Sequence, residues 1–470
     1  MKKIVMKFGG TSVADGERIR HVANLVADHV DLDYKVVVVI SALKGITDRL
    51  LEASHQVKKG DGEYILKFKQ EVIQRHSTAI KRAIEDQALR GEVDRKIRKL
   101  IEELGKVLTG IIYLGELTSK SKDYILSFGE RLSAPIVSGA LKDLGVNSQH
   151  FTGKEIGITT DSHFGEATPL MKVTKHQVNN NLGTIDRNLV PVVTGFMAAT
   201  PDGEITTLGR GGSDYTATIL GAALEVDEVW IWTDVDGLMT CDPQIVPTAK
   251  TIEEISFQEA TEMAVFGAKA MHPKALQPAM EANIPVRIRN TFNPENPGTL
   301  IIQEQKIKPG DIVKAIALVK DVALINVSGA GMIGAPGTAA KVFHLLGKEN
   351  INILMISQSV SEANISLLVP RNLLERAVAK LEIALLGRGL IQEVNTEDDI
   401  CVVAVVGAGM KGTPGVASRV FTAMAQKGIN VRMIAQGSSE LNISFIVTDK
   451  RGKEAVQAIH KEFQLNRDWE

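Results

Sequence analysis

The chain has 470 residues, of which 44% are apolar and 23% charged, and its formal net charge is −2. This length exceeds the size at which one hydrophobic core stops growing, so two or three domains are expected. The near-neutral charge gives no reason to expect nucleic acid or an anionic membrane as partner, which favours small substrates. The two cysteines lack CxxC spacing, and no apolar stretch suits a signal peptide or a membrane span. We therefore expect a cytoplasmic protein.

The chain begins with a strand–helix–strand pattern. Residues 3–8 and 35–40 predict strands, and the second is apolar on both faces, as in a sheet covered by helices on each side. Residues 15–30 between them have the apolar spacing of a helix. Because such βαβ units build parallel sheets, we predict an α/β fold with a mainly parallel sheet sandwiched by helices.

The pattern then changes to a long, charged helical stretch at residues 61–115, whose interspersed charges are typical of solvated helix faces. Strands are predicted again at residues 191–196, 228–233 and 285–290. Each is followed by glycine, a carboxylate or a polar turn, which favours ligand-facing loops at the carboxyl ends of the strands. Residues 1–303 are therefore predicted to form one large α/β domain.

A polar connector rich in proline and glycine, residues 293–310, precedes an internal repeat. Residues 324–369 and 402–447 align without a gap, with Gly329 opposite Gly407, an offset of 78 residues. So dense a match indicates duplication.

Both repeats contain a GxGxxG motif, at residues 329–334 and 407–412, which alone would indicate a dinucleotide site. The strands predicted next, 351–357 and 429–435, are followed by Gln358 and Gln436 instead of the acidic residue that would hold a ribose. A third strand follows each within a few residues, too close for a crossover helix, so an antiparallel hairpin is expected. We therefore reject the dinucleotide site.

The resulting βαββ pattern, followed by an amphipathic helix, is the ferredoxin-like plan. It resembles the ACT domain, a βαββαβ module that binds amino acids. The two ACT-like domains are expected at residues 311–396 and 397–470.

Five loops of the first domain carry side chains suited to phosphate or carboxylate chemistry, namely residues 7–12, 41–47, 127–133, 207–214 and 233–237. In the first, adjacent glycines and Lys7 suit phosphate binding, although a tight βα turn without ligand explains the segment equally well. In the fourth, Arg210 lies between glycines, which favours carboxylate or phosphate binding.

The other three loops have an unliganded explanation that is as good or better on the residues alone. Residues 127–133 could be the capped start of a surface helix, and residues 41–47 a solvated loop. Residues 233–237 could hold a nucleotide or metal, or form an Asx turn.

Together with residues 266–269, His272-Pro273 and the two repeats, these loops occur in the order seen in aspartate kinases. The chain resembles a monofunctional aspartate kinase, of the amino-acid kinase family with carboxy-terminal tandem ACT domains, over essentially its whole length. We expect no dehydrogenase domain, because little sequence follows the second repeat.

The resemblance implies transfer of the γ-phosphate of ATP to the side-chain carboxylate of L-aspartate, with Mg²⁺ accompanying ATP. The product would be 4-phospho-L-aspartate, in the first step of lysine, threonine and methionine biosynthesis. No side chain is implied as a metal ligand. The implied residues are Lys7 and Asp214 for catalysis, Ser41, Thr47, Glu130 and Arg210 for aspartate, and Lys7, Gly9, Gly10, Ser12, Ser213, Thr233, Asp234 and Lys269 for ATP.

One loop departs from the family pattern, since Met239 and Gln244 stand where aspartate kinases commonly have an aromatic residue and an arginine. The ACT-like pair implies feedback control by an end product, lysine or threonine. ACT sheets have free edges, so a homodimer or homotetramer formed through them is expected. The residues expected to hold the effector, or else to form hairpin hydrogen bonds, are Asn352, Gln358, Asn430 and Gln436.

Two other functions compete with this interpretation. Kinases acting on glutamate or acetylglutamate generally lack both the charged helical insertion and a paired ACT tail. A catalytically inactive amino-acid sensor would not need the intact set Lys7, Glu130, Arg210 and Asp214.

Overall fold

The structure is a computed structural model that describes residues 2–183, 186, 188–266, 271–305, 312–386 and 391–466. By its contacts, the chain divides into two compact units. The first comprises residues 1–238, 253–257 and 269–305, and the second comprises residues 239–252, 258–268 and 306–470.

The strands are β1 (Lys3–Phe8), β2 (Lys35–Ile40), β3 (Ser148–Phe151), β4 (Val190–Thr194), β5 (Met197–Ala199), β6 (Ile205–Thr207), β7 (Glu228–Thr233), β8 (Glu254–Ser256), β9 (Val286–Asn290), β10 (Thr299–Ile302), β11 (Ala315–Ser328), β12 (Met355–Gln358), β13 (Asn364–Pro370), β14 (Glu393–Val406), β15 (Met433–Gln436) and β16 (Asn442–Thr448). The helices are α1 (Gly16–Asp31), α2 (Ile46–Lys58), α3 (Gly62–Ala83), α4 (Gln87–Leu114), α5 (Ser119–Leu126), α6 (Phe128–Asp143), α7 (Met171–Leu182), α8 (Gly212–Leu224), α9 (Phe257–Val265), α10 (Pro273–Glu281), α11 (Thr338–Lys348), α12 (Leu374–Leu385), α13 (Val416–Gln426) and α14 (Asp449–Glu462).

The first unit is built on an eight-stranded sheet in the order β3-β4-β2-β1-β7-β9-β10-β8. Neighbouring strands are parallel except for the antiparallel pair β9 and β10. Alternate residues of β1 point to opposite faces, so Met6 joins the core formed with α1, α3, α4 and α6, while α8 packs on the other face. The predicted fold, a mainly parallel sheet between helices, is confirmed.

The charged stretch of the sequence is helical, as predicted, and forms the long helices α3 and α4. Each begins at an aspartate whose carboxylate accepts a hydrogen bond from a backbone N–H of the first turn: Asp61 from Tyr64 at 3.1 Å and Asp86 from Leu89 at 2.8 Å. The apolar stripe of each helix, with Phe68 of α3 among its members, is buried in the core of the first unit.

His76 lies within that apolar stripe and is fully buried. Its Nδ1 lies 2.7 Å from the carbonyl oxygen of Val72, and its Nε2 has no hydrogen-bond partner among the described residues. Burial lowers the pKa of His76 to about 4, because the core cannot solvate an imidazolium.

We expect the free energy of unfolding to fall by about 3 kcal/mol as the pH decreases from about 6.5 to about 4, through this residue alone. The unfolded chain takes up the proton in that range while folded His76 stays neutral. A His76→Leu variant should lose that part of the acid sensitivity in urea titrations at the two pH values. The exposed His55→Leu is the control, and equal acid sensitivity in wild type and His76→Leu would contradict the assignment.

The two repeats of the second unit form one six-stranded sheet in the order β12-β13-β11-β14-β16-β15. The predicted hairpins are present, since β12 pairs antiparallel with β13 and β15 with β16. The central strands β11 and β14 each run over 14 residues and pair antiparallel. The first half of each completes the sheet of the other repeat, so the two ferredoxin-like domains share these strands.

An internal carboxylate occupies the glycine-rich turn of each repeat. Glu362 accepts a hydrogen bond from the backbone N–H of Gly334 at 3.0 Å, and Glu440 accepts one from Gly412 at 2.7 Å. Both glutamates lie in the β-hairpin of their own repeat. A backbone donor that could face a phosphate is thus used within the fold, in agreement with the rejection of a dinucleotide site.

Residues 239–252 contribute to the core of the second repeat. Cys241, Ile245 and Val246 pack with its apolar side chains. The carbonyl oxygen of Thr240 accepts a hydrogen bond from the backbone N–H of Ile316 at 2.8 Å. Met239 and Gln244, the two departures from the family pattern, lie in this same segment.

Candidate active site

An open cavity of about 520 Å³ lies at the carboxyl edge of the large sheet. Here β1 is flanked by β2 on one side and by β7 on the other, so the chain reverses its direction of progress across the sheet at β1. Such a switch point separates the loops that follow neighbouring strands and leaves a crevice for a ligand. The loops after these three strands all line the cavity.

At the base of the cavity, Lys7 forms an ion pair with Asp214. The alternation along β1 points Lys7 toward α8, and Asp214 lies in the first turn of that helix, where a carboxylate is favoured by the helix dipole. Lys7 is 7% exposed and Asp214 8% exposed. A lysine ammonium held in this way is a fixed positive charge at a site that is largely shielded from water.

The glycine-rich loop at residues 207–214 presents Arg210 at the cavity. Gly209 and Gly211 have φ angles of +76° and +72°, which side-chain-bearing residues rarely adopt. A Cβ atom on Gly211 would lie 2.6 Å from the Cβ atom of His272, so a side chain is also excluded by contact. The exposed guanidinium of Arg210 is thereby carried on a tightly packed loop.

Glu130 is a buried carboxylate in the first turn of α6 and lines the cavity. Its residue is 3% exposed. The Oε1 atom accepts a hydrogen bond from the backbone N–H of Ala42 at 3.2 Å, whereas Oε2 has no hydrogen-bond partner within the described ranges. Burial raises the pKa of Glu130 to about 8. A ligand cation would satisfy Oε2 and favour the ionised form.

The structure brings all the predicted catalytic and aspartate-binding residues, and most of the predicted ATP residues, to this one cavity. Those lining it are Lys7, Gly10, Ser41, Thr47, Glu130, Arg210, Ser213, Asp214, Thr233 and Asp234.

Two of the predicted ATP residues that the structure describes do not line the cavity. Gly9 donates its backbone N–H to the carbonyl oxygen of Trp232 at 3.2 Å. Ser12 is fully buried, and its hydroxyl lies 2.6 Å from that of Thr291. Its backbone N–H donates to the Gly9 carbonyl, so the turn directs the side chain into the core. Lys269 lies outside the described residues.

The four predicted effector residues belong to the second unit. All four side chains are exposed. Gln358 and Gln436 are the last residues of β12 and β15, which are the edge strands of the six-stranded sheet.

Sequence reasoning missed Phe196, which also lines the cavity. Its φ angle is +65°, a conformation that is costly for a bulky residue and is found preferentially at functional sites. The Thr216 hydroxyl accepts its backbone N–H at 3.0 Å. The available signal was its position directly after β4 and Gly195.

Comparison with known proteins is consistent with this geometry. The sequence profile of the amino acid kinase family matches residues 2–290. The chain belongs to the amino acid kinase family. The ACT domain profile matches residues 325–385 and 403–463, which are the two repeats.

Relatives of this amino acid kinase include aspartokinases and bifunctional aspartokinase/homoserine dehydrogenases. It is 35% identical to Arabidopsis thaliana aspartokinase 1 over 98% of this chain and 80% of that protein. It is 34% identical to a Zea mays bifunctional aspartokinase/homoserine dehydrogenase over 98% of this chain and 50% of that protein. The chain thus spans about half the length of such bifunctional relatives.

Among solved structures, Escherichia coli aspartokinase III matches 98% of this chain at 30% identity. The TM-score is 0.80 for its complex with aspartate and ADP, where the match covers 99% of that chain. It is 0.82 for its complex with lysine and aspartate, where the match covers 100%.

No helix in the described ranges combines the length and apolar character needed to cross a lipid bilayer.

Proposed function

We propose that this chain is an aspartate kinase that transfers the γ-phosphate of ATP to the side-chain carboxylate of L-aspartate. The product, 4-phospho-L-aspartate, would enter lysine, threonine and methionine biosynthesis. The observation that carries the proposal is one cavity containing the Lys7–Asp214 pair, the buried Glu130 and the exposed Arg210. Lys7 offers a cation for a phosphoryl group, Glu130 an anion for an ammonium group, and Arg210 a pair of parallel N–H donors for a carboxylate.

In the proposed substrate complex, Arg210 binds a carboxylate of aspartate and Glu130 binds its ammonium. A guanidinium suits the first task because its planar donors match a carboxylate in a bidentate pair. The hydroxyls of Ser41 and Thr47 offer further hydrogen bonds to the bound aspartate. Aspartate is thereby oriented with its side-chain carboxylate toward the nucleotide.

In the proposed reaction, an oxygen of that carboxylate attacks the γ-phosphorus. The bond from phosphorus to the oxygen bridging the β- and γ-phosphates breaks, and ADP leaves with the electron pair. The attacking carboxylate is already ionised at neutral pH, so no general base is required. Catalysis is therefore positioning and electrostatic stabilisation, with Lys7 at the transferring group and Asp214 orienting Lys7.

ATP is proposed to lie along the loops after β1 and β7 and the start of α8. This assignment keeps all the predicted nucleotide residues: Lys7, Gly9, Gly10, Ser12, Ser213, Thr233, Asp234 and Lys269. Magnesium, when bound to ATP, neutralises part of the phosphate charge. No side chain is proposed as a direct ligand of that ion; Asp234 lines the cavity, whereas Asp236 accepts hydrogen bonds from Asn290 and Asn293.

We propose that residues 1–303 form the catalytic domain, and that residues 311–396 and 397–470 form two regulatory ACT domains that bind lysine or threonine. In support, the complex of E. coli aspartokinase III with lysine is described as its T-state. The proposed effector residues are Asn352, Gln358, Asn430 and Gln436, with a homodimer or homotetramer formed through the ACT sheets. We also propose a cytoplasmic location, which suits the two free, buried cysteines.

The decisive experiment is ATP-dependent acyl-phosphate formation, trapped with hydroxylamine, from aspartate and in parallel from glutamate. Product from aspartate alone, decreasing when lysine or threonine is added, is expected. Product from glutamate alone would show that the substrate is glutamate and not aspartate. No product from folded protein with ATP and Mg²⁺ would favour an inactive sensor, and activity indifferent to both effectors would remove the feedback proposal.

A further inference from the structure

Asp123 is a buried carboxylate of α5 that joins two backbone segments beside the cavity. It is 1% exposed. Its Oδ2 accepts hydrogen bonds from the backbone N–H groups of Gly165 at 2.9 Å and Thr207 at 2.8 Å, and its Oδ1 accepts one from the Thr207 hydroxyl at 2.8 Å. Burial raises the pKa of this carboxyl, although the three donors act in the opposite direction.

The segments held by Asp123 lead directly into the loop that carries Arg210. Thr207 is the last residue of β6, and only Leu208 and Gly209 separate it from Arg210. A Cβ atom on Gly209 would lie 3.3 Å from the carbonyl oxygen of Gly165, so the second held segment supports the same loop. The carboxylate therefore fixes the loop at its start and along one side.

The helix that carries Asp123 also leads into Glu130. Helix α5 ends at Leu126 and α6 begins at Phe128, and Ser127 between them has helical dihedral angles of −58° and −23°. Glu130 follows in the first turn of α6. One nearly continuous helical segment thus holds both the carboxylate that lines the cavity and the carboxylate that fixes the Arg210 loop.

Given the proposed aspartate kinase activity, we infer that Asp123 is a positioning residue that sets the spacing between Glu130 and Arg210. That spacing selects an amino acid whose ammonium and carboxylate reach both groups at once. Without Asp123, Arg210 is no longer held in place for the substrate, while the Lys7–Asp214 pair is unchanged. The Michaelis constant for aspartate should therefore rise by about tenfold or more, because small displacements of a substrate-positioning group have large effects.

The test compares Asp123→Ala and Asp123→Asn with Asp143→Ala. Asp143 is a matched control, since it accepts backbone N–H groups from Glu85 at 3.0 Å and Asp86 at 2.8 Å but does not line the cavity. The measurements are KM for aspartate, KM for ATP, kcat, and hydrogen exchange of the amides of residues 207–212.

For Asp123→Ala we expect a raised KM for aspartate, faster exchange at residues 207–212, and kcat and KM for ATP within about threefold of wild type. Asp123→Asn should recover part of the effect, because its amide oxygen can accept both N–H groups while its NH₂ donates to the Thr207 hydroxyl. Asp143→Ala should lower stability and leave KM and exchange at residues 207–212 unchanged. If Asp123→Ala does not fold, Thr207→Val tests the same link by removing one hydrogen bond.

Unchanged exchange at residues 207–212 in the Asp123 variants would overturn the inference, and so would an equal rise of KM in Asp143→Ala. A wild-type protein that forms no acyl phosphate from aspartate would remove the proposed function. The exchange measurement then decides by itself whether Asp123 orders the Arg210 loop.

Discussion

A Lys7→Met variant should lose about 10²- to 10³-fold in kcat, with little change in KM for aspartate. The buried ammonium is proposed to stabilise the charge of the transferring phosphoryl group, which is present with full effect only in the transition state. Aspartate binding is assigned to Glu130 and Arg210, so it should persist. Steady-state kinetics with saturating ATP measure both quantities.

The same substitution leaves Asp214 buried without its partner, which should lower the free energy of unfolding by about 3–5 kcal/mol. A double variant, Lys7→Met with Asp214→Asn, removes that unpaired charge and should recover stability but not activity. Lys3→Met, at the exposed opposite end of β1, is the matched lysine control. If the double variant regained activity as well as stability, Lys7 would have only a structural role.

The second large effect concerns Glu130 and pH. Because burial raises the pKa of this carboxyl to about 8, most molecules carry it neutral at pH 7. Only the ionised form attracts the substrate ammonium. We therefore expect kcat/KM for aspartate to rise by about tenfold per pH unit between about pH 6 and pH 8 and then to level off, since this ratio reports the free enzyme.

Glu130→Gln should remove that pH-dependent rise. It should also lower kcat/KM at pH 8 by about 10²-fold, because the substrate ammonium loses one charge-assisted hydrogen bond. Glu116→Gln, at an exposed position before α5, should preserve the wild-type profile. A wild-type profile that is flat between pH 6 and 8 would show that Glu130 does not bind the ammonium.

Much of this site could be predicted because parallel sheets follow simple rules. Continuous apolar strands predicted the sheet, and loops after parallel strands meet at one edge, so ligand-facing loops were expected there. The repeat was visible as sequence identity. The family resemblance then connected Arg210 with Glu130, whose loop is explained at least as well by the capped start of a surface helix when it is considered alone.

The remaining features depend on contacts between distant residues that no local pattern records. Ser12 turns inward because its hydroxyl meets that of Thr291, 279 residues away in sequence. From the sequence alone, Asp123 cannot be distinguished from an exposed aspartate on a helix surface. Its role follows only from the contact with Thr207, which lies 84 residues later in the chain. The first halves of β11 and β14 were not predicted, because each becomes a strand only by pairing with the other.

The incorporation of residues 239–252 into the core of the second repeat also bears on how such proteins can evolve. A recombination event near residue 303 would separate Cys241, Ile245 and Val246 from the apolar side chains that they cover. The transferred regulatory part would expose that core, and the remaining part would carry an apolar segment without its partners. Exchange of ACT tails between kinases of this type should therefore succeed only when this short internal segment is inherited together with the tail.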